Sequence, residues 1–253
     1  MRYMATADTD IGISKHTNQD SVLIKHASTH IGEVLMAIIC DGMGGLAKGE
    51  LASATVIREF SKWFDESLPS ELDNLDMQVI GAKWSLMLKN ISLKIQTYGA
   101  KQGVSLGTTF SGILLADNQY VIVHVGDTRV YQIGSAIHQL TADQTFVARE
   151  ISRGTMTPEQ AKTDKRRNLL LQCVGASKTV EPQVICAKAE QGVYMICSDG
   201  FRHEITEAEM YERMNPAALV NKETMHKNAR YLIEQVKARK ERDNISVVLI
   251  KAE

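Results

Sequence analysis

Apolar residues along the chain follow two rhythms. In the first they run almost without interruption: Val34-Leu35-Met36-Ala37-Ile38-Ile39-Cys40, then Val121–Val125, Met195-Ile196-Cys197 and Ile245–Ile250. A strand with one wet face alternates apolar and polar residues, so an unbroken run predicts a strand covered on both faces. In the second rhythm the spacing is helical. Val56, Ile57, Phe60, Trp63 and Phe64 predict a helix over Glu50–Leu68, ended by Pro69. Ile80, Trp84, Met87, Leu88, Ile91, Ile95 and Tyr98 form one stripe over about 75–98, after which Gly99 and Gly103 break the chain. Both tryptophans lie on these stripes and read as core, packing a helix pair against a sheet. A further helix is predicted over about 217–239, with Leu232, Ile233 and Val236 facing inward.

Between these landmarks, residues 2–9 and 20–26 read as early strands. Gly107–Leu140 reads as a β-meander, its strands separated by Asp117-Asn118, Gly126-Asp127-Thr128 and Gly134-Ser135, all with turn chemistry. Residues 141–172 are polar, helix-prone and rich in Arg and Lys, and read as a partly helical excursion from the sheet. Within them Thr157-Pro158-Glu159-Gln160 has the form of a capping box, as does Thr206-Glu207-Ala208-Glu209. Strands resume at 181–188 and 192–198, and the last is Ile245–Lys251. No repeat or linker interrupts the pattern, so residues 1–253 read as a single domain of α+β class, sheets covered by helices.

Composition narrows the function classes. The chain has 253 residues, 44% hydrophobic and 23% charged, with a net charge of −1, so nothing marks a nucleic-acid binder. No apolar run approaches a membrane span, and Met1-Arg2-Tyr3-Met4 opens no signal peptide. Cys40, Cys173, Cys186 and Cys197 form no C-x-x-C pair, and three lie in or beside strand runs. Reduced thiols and a cytoplasmic location are the expectation, with a monomer as the default.

The candidate chemistry lies where strands end. Val34–Cys40 runs straight into Asp41-Gly42-Met43-Gly44-Gly45, Met195–Ser198 into Asp199-Gly200, and Val121–Gly126 into Asp127, while Asp243-Asn244 precedes the last strand. A lone Asp-Gly after a strand is most often a turn. Four acids abutting four apolar strands, three at C-terminal ends and one at an N-terminal end, can instead meet on one rim, because such ends are neighbours in antiparallel pairs. Clustered carboxylates without cations would cost on the order of several kcal/mol. Divalent ions remove that cost, and all-oxygen donors favour Mg²⁺ or Mn²⁺ over Zn²⁺. The seven histidines are scattered, with no H-x-H and no H-E-x-x-H; His203 reads as surface and His124 as a packed or solvent-facing strand residue. Two such ions clamping a phosphate and sharing a water make phosphate-ester hydrolysis the natural proposal. Gly42–Gly49 fails as a P-loop, since Ala47 and Gly49 stand where Gly and Ser/Thr are needed. No G-x-S-x-G nucleophile elbow is present, and no cysteine has an electropositive setting.

At this level of detail the chain resembles the metal-dependent Ser/Thr protein phosphatases of the PP2C (PPM) type in their bacterial form. The resemblance rests on Thr9-Asp10-Ile11-Gly12 with Lys15-His16-Thr17-Asn18-Gln19-Asp20-Ser21, on Asp41–Gly45, and on Gly107-Thr108-Thr109. It continues through Gly126-Asp127-Thr128-Arg129, Ser198-Asp199-Gly200 and Asp243-Asn244-Ile245-Ser246, six motifs in order over nearly the whole chain. It implies an α-β-β-α sandwich of two antiparallel sheets flanked by helix pairs. It further implies two Mn²⁺ or Mg²⁺ ions, with Asp41 bridging them, the Gly42 carbonyl on one, and Asp199 and Asp243 on the other. Asp20 would act through a water, Asp127 with Asp199 would hold a third ion, and a bridging water would be the nucleophile. Residues 141–172 correspond to the flap beside the substrate groove, and phosphorylated proteins, substrates of a Ser/Thr kinase, are the implied partners.

Three departures modify that picture. Lys15 stands where an arginine usually grips the substrate phosphate; it keeps the charge but loses the bidentate fork, which predicts weaker phosphate binding with activity retained. Met43 replaces the histidine that is the candidate general acid of eukaryotic members, and Asp164-Lys165 replaces a common His-Pro in the flap. Two other readings stand beside the enzyme: a silent relative that binds phosphoproteins or a kinase, and a two-metal hydrolase of small phosphate esters.

Overall fold

The computed structural model describes residues 1–43 and 48–253. Gly44 and Gly45, the last glycines of the Asp41 turn, lie outside the described residues, as do Leu46 and Ala47. The strands are β1 (Tyr3–Asp10), β2 (Ser21–Thr29), β3 (Gly32–Cys40), β4 (Phe110–Ala116), β5 (Gln119–Val125), β6 (Arg129–Ile133), β7 (Ile137–Gln139), β8 (Gln183–Lys188), β9 (Gly192–Cys197) and β10 (Ile245–Ala252). They form two five-stranded sheets, β1-β10-β9-β6-β7 and β2-β3-β4-β5-β8, and the described pairs are antiparallel.

The unbroken apolar runs follow from the layering. Along β3, Leu35, Ala37 and Ile39 join Val130, Tyr194, Ile196, Val248 and Ile250 in the core between the two sheets. The alternate residues Val34, Met36, Ile38 and Cys40 face helices α1 (Gly49–Glu66) and α3 (Met77–Gln102). Strands β9 and β10 do the same on the other side, where Met195, Cys197, Val247 and Leu249 pack with Met225, Leu232 and Val236 of α8 (Lys222–Ala238). Antiparallel sheets usually keep one face wet; here helices cover both outer faces, and the α-β-β-α sandwich results. Trp63 and Trp84 are core as expected, stacked edge to face at 5.3 Å, with Phe60 against Trp84 at 5.1 Å.

Three expectations need correction. Pro69 does not simply end a helix: α1 stops at Glu66, and Pro69 falls in the first turn of a short α2 (Leu68–Glu71), where its missing N–H has no partner to lose. Gly99 does not break α3, which runs on to a left-handed cap at Gly103 (φ 66°). Gly99 is needed for space, because a Cβ there would lie 2.5 Å from the Val104 carbonyl oxygen. The meander is also two hairpins rather than one sheet. β4–β5 belongs to one sheet and β6–β7 to the other, so Gly126-Asp127-Thr128 is a crossing between sheets. The left-handed φ of 110° at Gly126 makes that crossing, and its N–H is held by Gln144 Oε1 at 2.8 Å.

The excursion carries α4 (Phe146–Ser152) and α5 (Pro158–Thr163), and its two ends are tied together by Phe146 N to Leu169 O and Leu171 N to Gln144 O, both 2.8 Å. Both expected capping boxes form, and a third, Asn221 with Thr224, starts α8. Asp164 turns its carboxylate onto Arg166, which holds its pKa down to about 2, while the Arg166 guanidinium lies 4.1 Å from the Phe146 ring centre. Among the described residues no helix is long and apolar enough to cross a membrane.

Candidate metal centre

The acids reach one end of the sandwich from both sheets. β3 and β5 flank β4, so their C-terminal ends lie on the same side and deliver Asp41 and Asp127. β9 and β10 are antiparallel neighbours, so the end of one meets the start of the other and Asp199 faces the same region as Asp243. Asp20 precedes β2, the partner of β3.

Local structure fixes each of them. The Asp41 N–H donates to Thr109 Oγ1 (2.9 Å), and its carbonyl accepts from the Thr108 hydroxyl (2.9 Å) and the Thr109 N–H (2.8 Å). Gly42 has no room for a side chain: a Cβ would lie 2.5 Å from the Gln19 carbonyl oxygen. Asp199 opens the short α6 (Asp199–Arg202), and Gly200 packs so tightly that a Cβ would come within 2.2 Å of the Asn244 carbonyl oxygen. Asn244 staples the loop before β2: it accepts from Gln19 N (2.9 Å) and donates to the Ile11 (3.0 Å) and Thr17 (3.2 Å) carbonyls. That loop carries Lys15, whose ammonium lies 2.7 Å from Asp243 Oδ1.

The electrostatics express the crowding. Burial, then the charges of Asp20, Asp199, Asp127 and Asp243, push the Asp41 carboxyl well above its ordinary range. Asp20 rises to about 7 through burial and the nearby Asp199 and Asp243, although the Ser246 hydroxyl donates to it at 2.6 Å. Asp127 also rises to about 7, by burial and by Asp199, against the relief given by Arg202. The cation beside Asp243 is Lys15: burial works against its charge, but Asp243, Asp41 and Asp199 together raise its pKa. Asp41, Asp20, Asp127, Asp199, Asp243 and Lys15 therefore share one rim.

The rim fits a hard divalent ion by its chemistry. Its side-chain donors are carboxylate oxygens, and two buried ones, Asp20 Oδ1 and Asp199 Oδ1, have no hydrogen-bond partner. Among the described residues no three carboxylate, imidazole or thiol groups are drawn together around one point. Asp243 is engaged by Lys15 and would have to exchange that ammonium for an ion.

Several residues that shape the rim had no role assigned from the sequence. Arg129 forks onto Asp143 (2.8 and 2.7 Å), and Arg202 lies between Asp127 Oδ2 (3.6 Å) and Asp143 Oδ2 (3.7 Å). Burial pushes the Asp143 carboxyl up, but the two guanidinium groups outweigh it and hold it charged. His203 does lie at the surface, yet its ring is 3.3 Å from Glu241 Oε2 and 3.6 Å from Asp199 Oδ2. Burial of the ring lowers its pKa, and these two carboxylates more than reverse the effect. Asp127, Arg129, Arg202 and His203 line a cleft together with Asp143, Lys162 and Arg167 of the excursion. Their partners lie up to 75 positions apart in sequence, so only the acids beside apolar strands stand out without the fold.

Comparison with known proteins agrees with this architecture. The chain is similar to the Serine/threonine protein phosphatase PstP of Mycobacterium tuberculosis, 31% identical over 252 residues. That match covers 98% of this chain and 44% of PstP, so the chain spans less than half the length of that relative. Serine/threonine phosphatase Stp1 from Staphylococcus aureus has a similar structure, with a TM-score of 0.86 at 27% identity, covering 100% of this chain and 96% of Stp1. So does the catalytic domain of PstP in complex with 2 manganese ions, at a TM-score of 0.76 and 28% identity, covering 98% of this chain and 97% of that one. The sequence profile described as Protein phosphatase 2C matches residues 13–248, and the chain belongs to that family.

Proposed function

We propose that this protein is a metal-dependent phosphatase that hydrolyses phosphoserine and phosphothreonine in proteins. The observation that carries the reading is the rim itself: carboxylates from two sheets, crowded enough that the carboxyls of Asp41, Asp20 and Asp127 are pushed up, with the Lys15 ammonium beside them, in a chain of this family. Asp41, the Gly42 carbonyl, Asp199 and Asp243 would hold two Mn²⁺ or Mg²⁺ ions, Asp127 with Asp199 a third, and Asp20 would act from behind through water. Bound there, the ions supply Lewis acidity, sharpening water as a nucleophile and neutralising phosphoryl charge. The PstP catalytic domain in complex with 2 manganese ions supports that choice of metal.

The chain's own groups do the rest. Lys15, once released from Asp243, would meet the phosphate as a point charge. Gly12 and Asn244 hold the Lys15 loop against the β10 start, so the distance between phosphate and acids is set by backbone packing. Met43 has no proton to give, so it is no general acid. Arg129 and Arg202 keep Asp143 ionised in the cleft, at the start of the excursion that corresponds to the flap (141–172). Residues 1–253 would act as one catalytic domain and as a monomer, opposing a Ser/Thr kinase. The free cysteines, three of them buried, support a reducing compartment, the cytoplasm.

Hydrolysis of p-nitrophenyl phosphate with Mn²⁺, and again after EDTA, tests the reading. Turnover is expected to vanish with the metal, and Asp41→Asn and Asp199→Asn are each expected to lower kcat by about 10²-fold or more in a folded protein. A phosphopeptide panel set against nucleotides is expected to favour the peptides. Metal-independent turnover, or none at all, would sink the proposal, and the second result would leave phosphoprotein or kinase binding as the better account.

A further inference from the structure

Of the seven histidines, His124 is the one with no solvent-exposed surface, and nothing in the proposed chemistry uses it. Both ring nitrogens are engaged. Nδ1 lies 2.8 Å from Ser111 Oγ on the neighbouring β4, and Nε2 lies 3.1 Å from the carbonyl oxygen of Ala142, at the start of the excursion. A carbonyl only accepts, so Nε2 carries the proton. Burial lowers the ring's pKa to about 4, against a smaller opposing effect from Asp143, so Nδ1 is bare and takes the Ser111 proton. The same hydroxyl lies 2.8 Å from the Thr128 carbonyl, so one proton serves two acceptors.

Two arms lead away from this residue, one through the Ser111 bond of its ring and one from its backbone carbonyl. On one, Thr128 meets Thr109 hydroxyl to hydroxyl at 2.7 Å, and Thr109 in turn accepts from the Asp41 N–H. On the other, Gln144 holds the β5 end: its Oε1 accepts from Gly126 N and Gln172 Nε2, both 2.8 Å, and its Nε2 donates to the His124 carbonyl at 3.4 Å. Both ends of the excursion, Ala142–Gln144 and Leu171-Gln172, therefore hang on β5 around His124. The network joins them to the backbone that carries Asp41 and Asp127.

We propose that His124 is a positioning residue that fixes the root of the 141–172 excursion relative to the acid rim. It thereby sets how a protein substrate, and not a small phosphate ester, meets the site. The inference rests on the phosphatase reading for its kinetic consequence and on geometry alone for its structural one.

The test uses the full chain. His124→Phe fills the ring's space and deletes both hydrogen bonds; His124→Gln restores a terminal N–H near the Ala142 carbonyl; Ser111→Ala removes only the Nδ1 partner. In His124→Phe, amide hydrogen exchange over 141–150 and 168–172 is expected to rise about tenfold, with β4 and β5 still protected. KM for a phosphopeptide is expected to rise roughly fivefold, with kcat for the peptide and both constants for p-nitrophenyl phosphate within about twofold of the parent. His124→Gln should recover most of the loss, and Ser111→Ala should show a weaker form of it, which keeps the test open if the phenylalanine variant does not fold. Unchanged exchange in the excursion overturns the inference, as does an equal loss on both substrates, the mark of a general core defect. If the parent chain hydrolyses neither substrate, the phosphatase reading fails while the exchange experiment still decides the role of His124.

Discussion

Lys15 works in two directions at once. Its ammonium neutralises part of the rim through Asp243, yet in the proposed reaction it would also receive the phosphate. Lys15→Met is therefore expected to bind Mn²⁺ several-fold more tightly, because a like charge leaves the site, and to show a raised KM for phosphopeptide. Lys15→Arg should lower that KM through its bidentate fork. Titration calorimetry and initial rates read the two effects separately; weaker Mn²⁺ binding in Lys15→Met would contradict the placement. Asp41, Asp127, Asp199 and Asp243 stood out because each abuts an apolar run, whereas Asp20 and Lys15 came only through the family resemblance. Asp143, Arg202 and Glu241 did not stand out, since a charged residue in a polar stretch reveals nothing of a partner that only the fold brings near, and the motif that contains Arg129 says nothing of its bond to Asp143.

At the scale of elements, the loop from Ile11 to Gln19 is held by packing at a glycine and by one asparagine. Gly12 has a φ of 77°, and a Cβ there would lie 2.3 Å from the Asp243 carbonyl oxygen. Gly12→Ala is expected to lower Tm by roughly 5 °C or more, from a cost of about 2 kcal/mol. It should also raise KM for phosphopeptide, because Lys15 moves with the loop. Gly134→Ala, with nothing within 4 Å, serves as the control, and a thermal melt distinguishes the pair. Helix and strand existence followed from apolar spacing, and Thr157 and Thr206 marked two helix starts correctly. The misreadings at Gly99 and Gly126 share a cause. Glycine permits a break, a cap, a crossing or a close approach, and only the neighbouring chain selects among them.

Across the whole molecule, the sheets bring together acids that resist ionisation. Asp20 and Asp127 rise from 3.8 to about 7, so the native chain keeps protons that the unfolded chain has released in that interval. For these two groups, the contribution to stability without metal is fully present below pH 3.8 and is lost as pH rises through about 7. A divalent ion displaces the same protons and reverses the trend. The gain in Tm on adding saturating Mn²⁺, relative to EDTA, is therefore expected to grow between pH 5 and pH 7.5, and a gain independent of pH would refute it. The four-layer stacking was partly legible, since runs such as Val34–Cys40 need cover on both faces. The division of strands between two sheets was not, because pairing order leaves no mark in periodicity.

The crossing at Gly126-Asp127-Thr128 has one last bearing on the molecule. Because the acids come from both slabs, neither slab alone owns the chemistry. A small slide of one against the other would scatter the carboxylates while every strand stayed intact. An ion seated across that seam would act as a rivet, so an affinity for manganese would measure how well the two halves are docked.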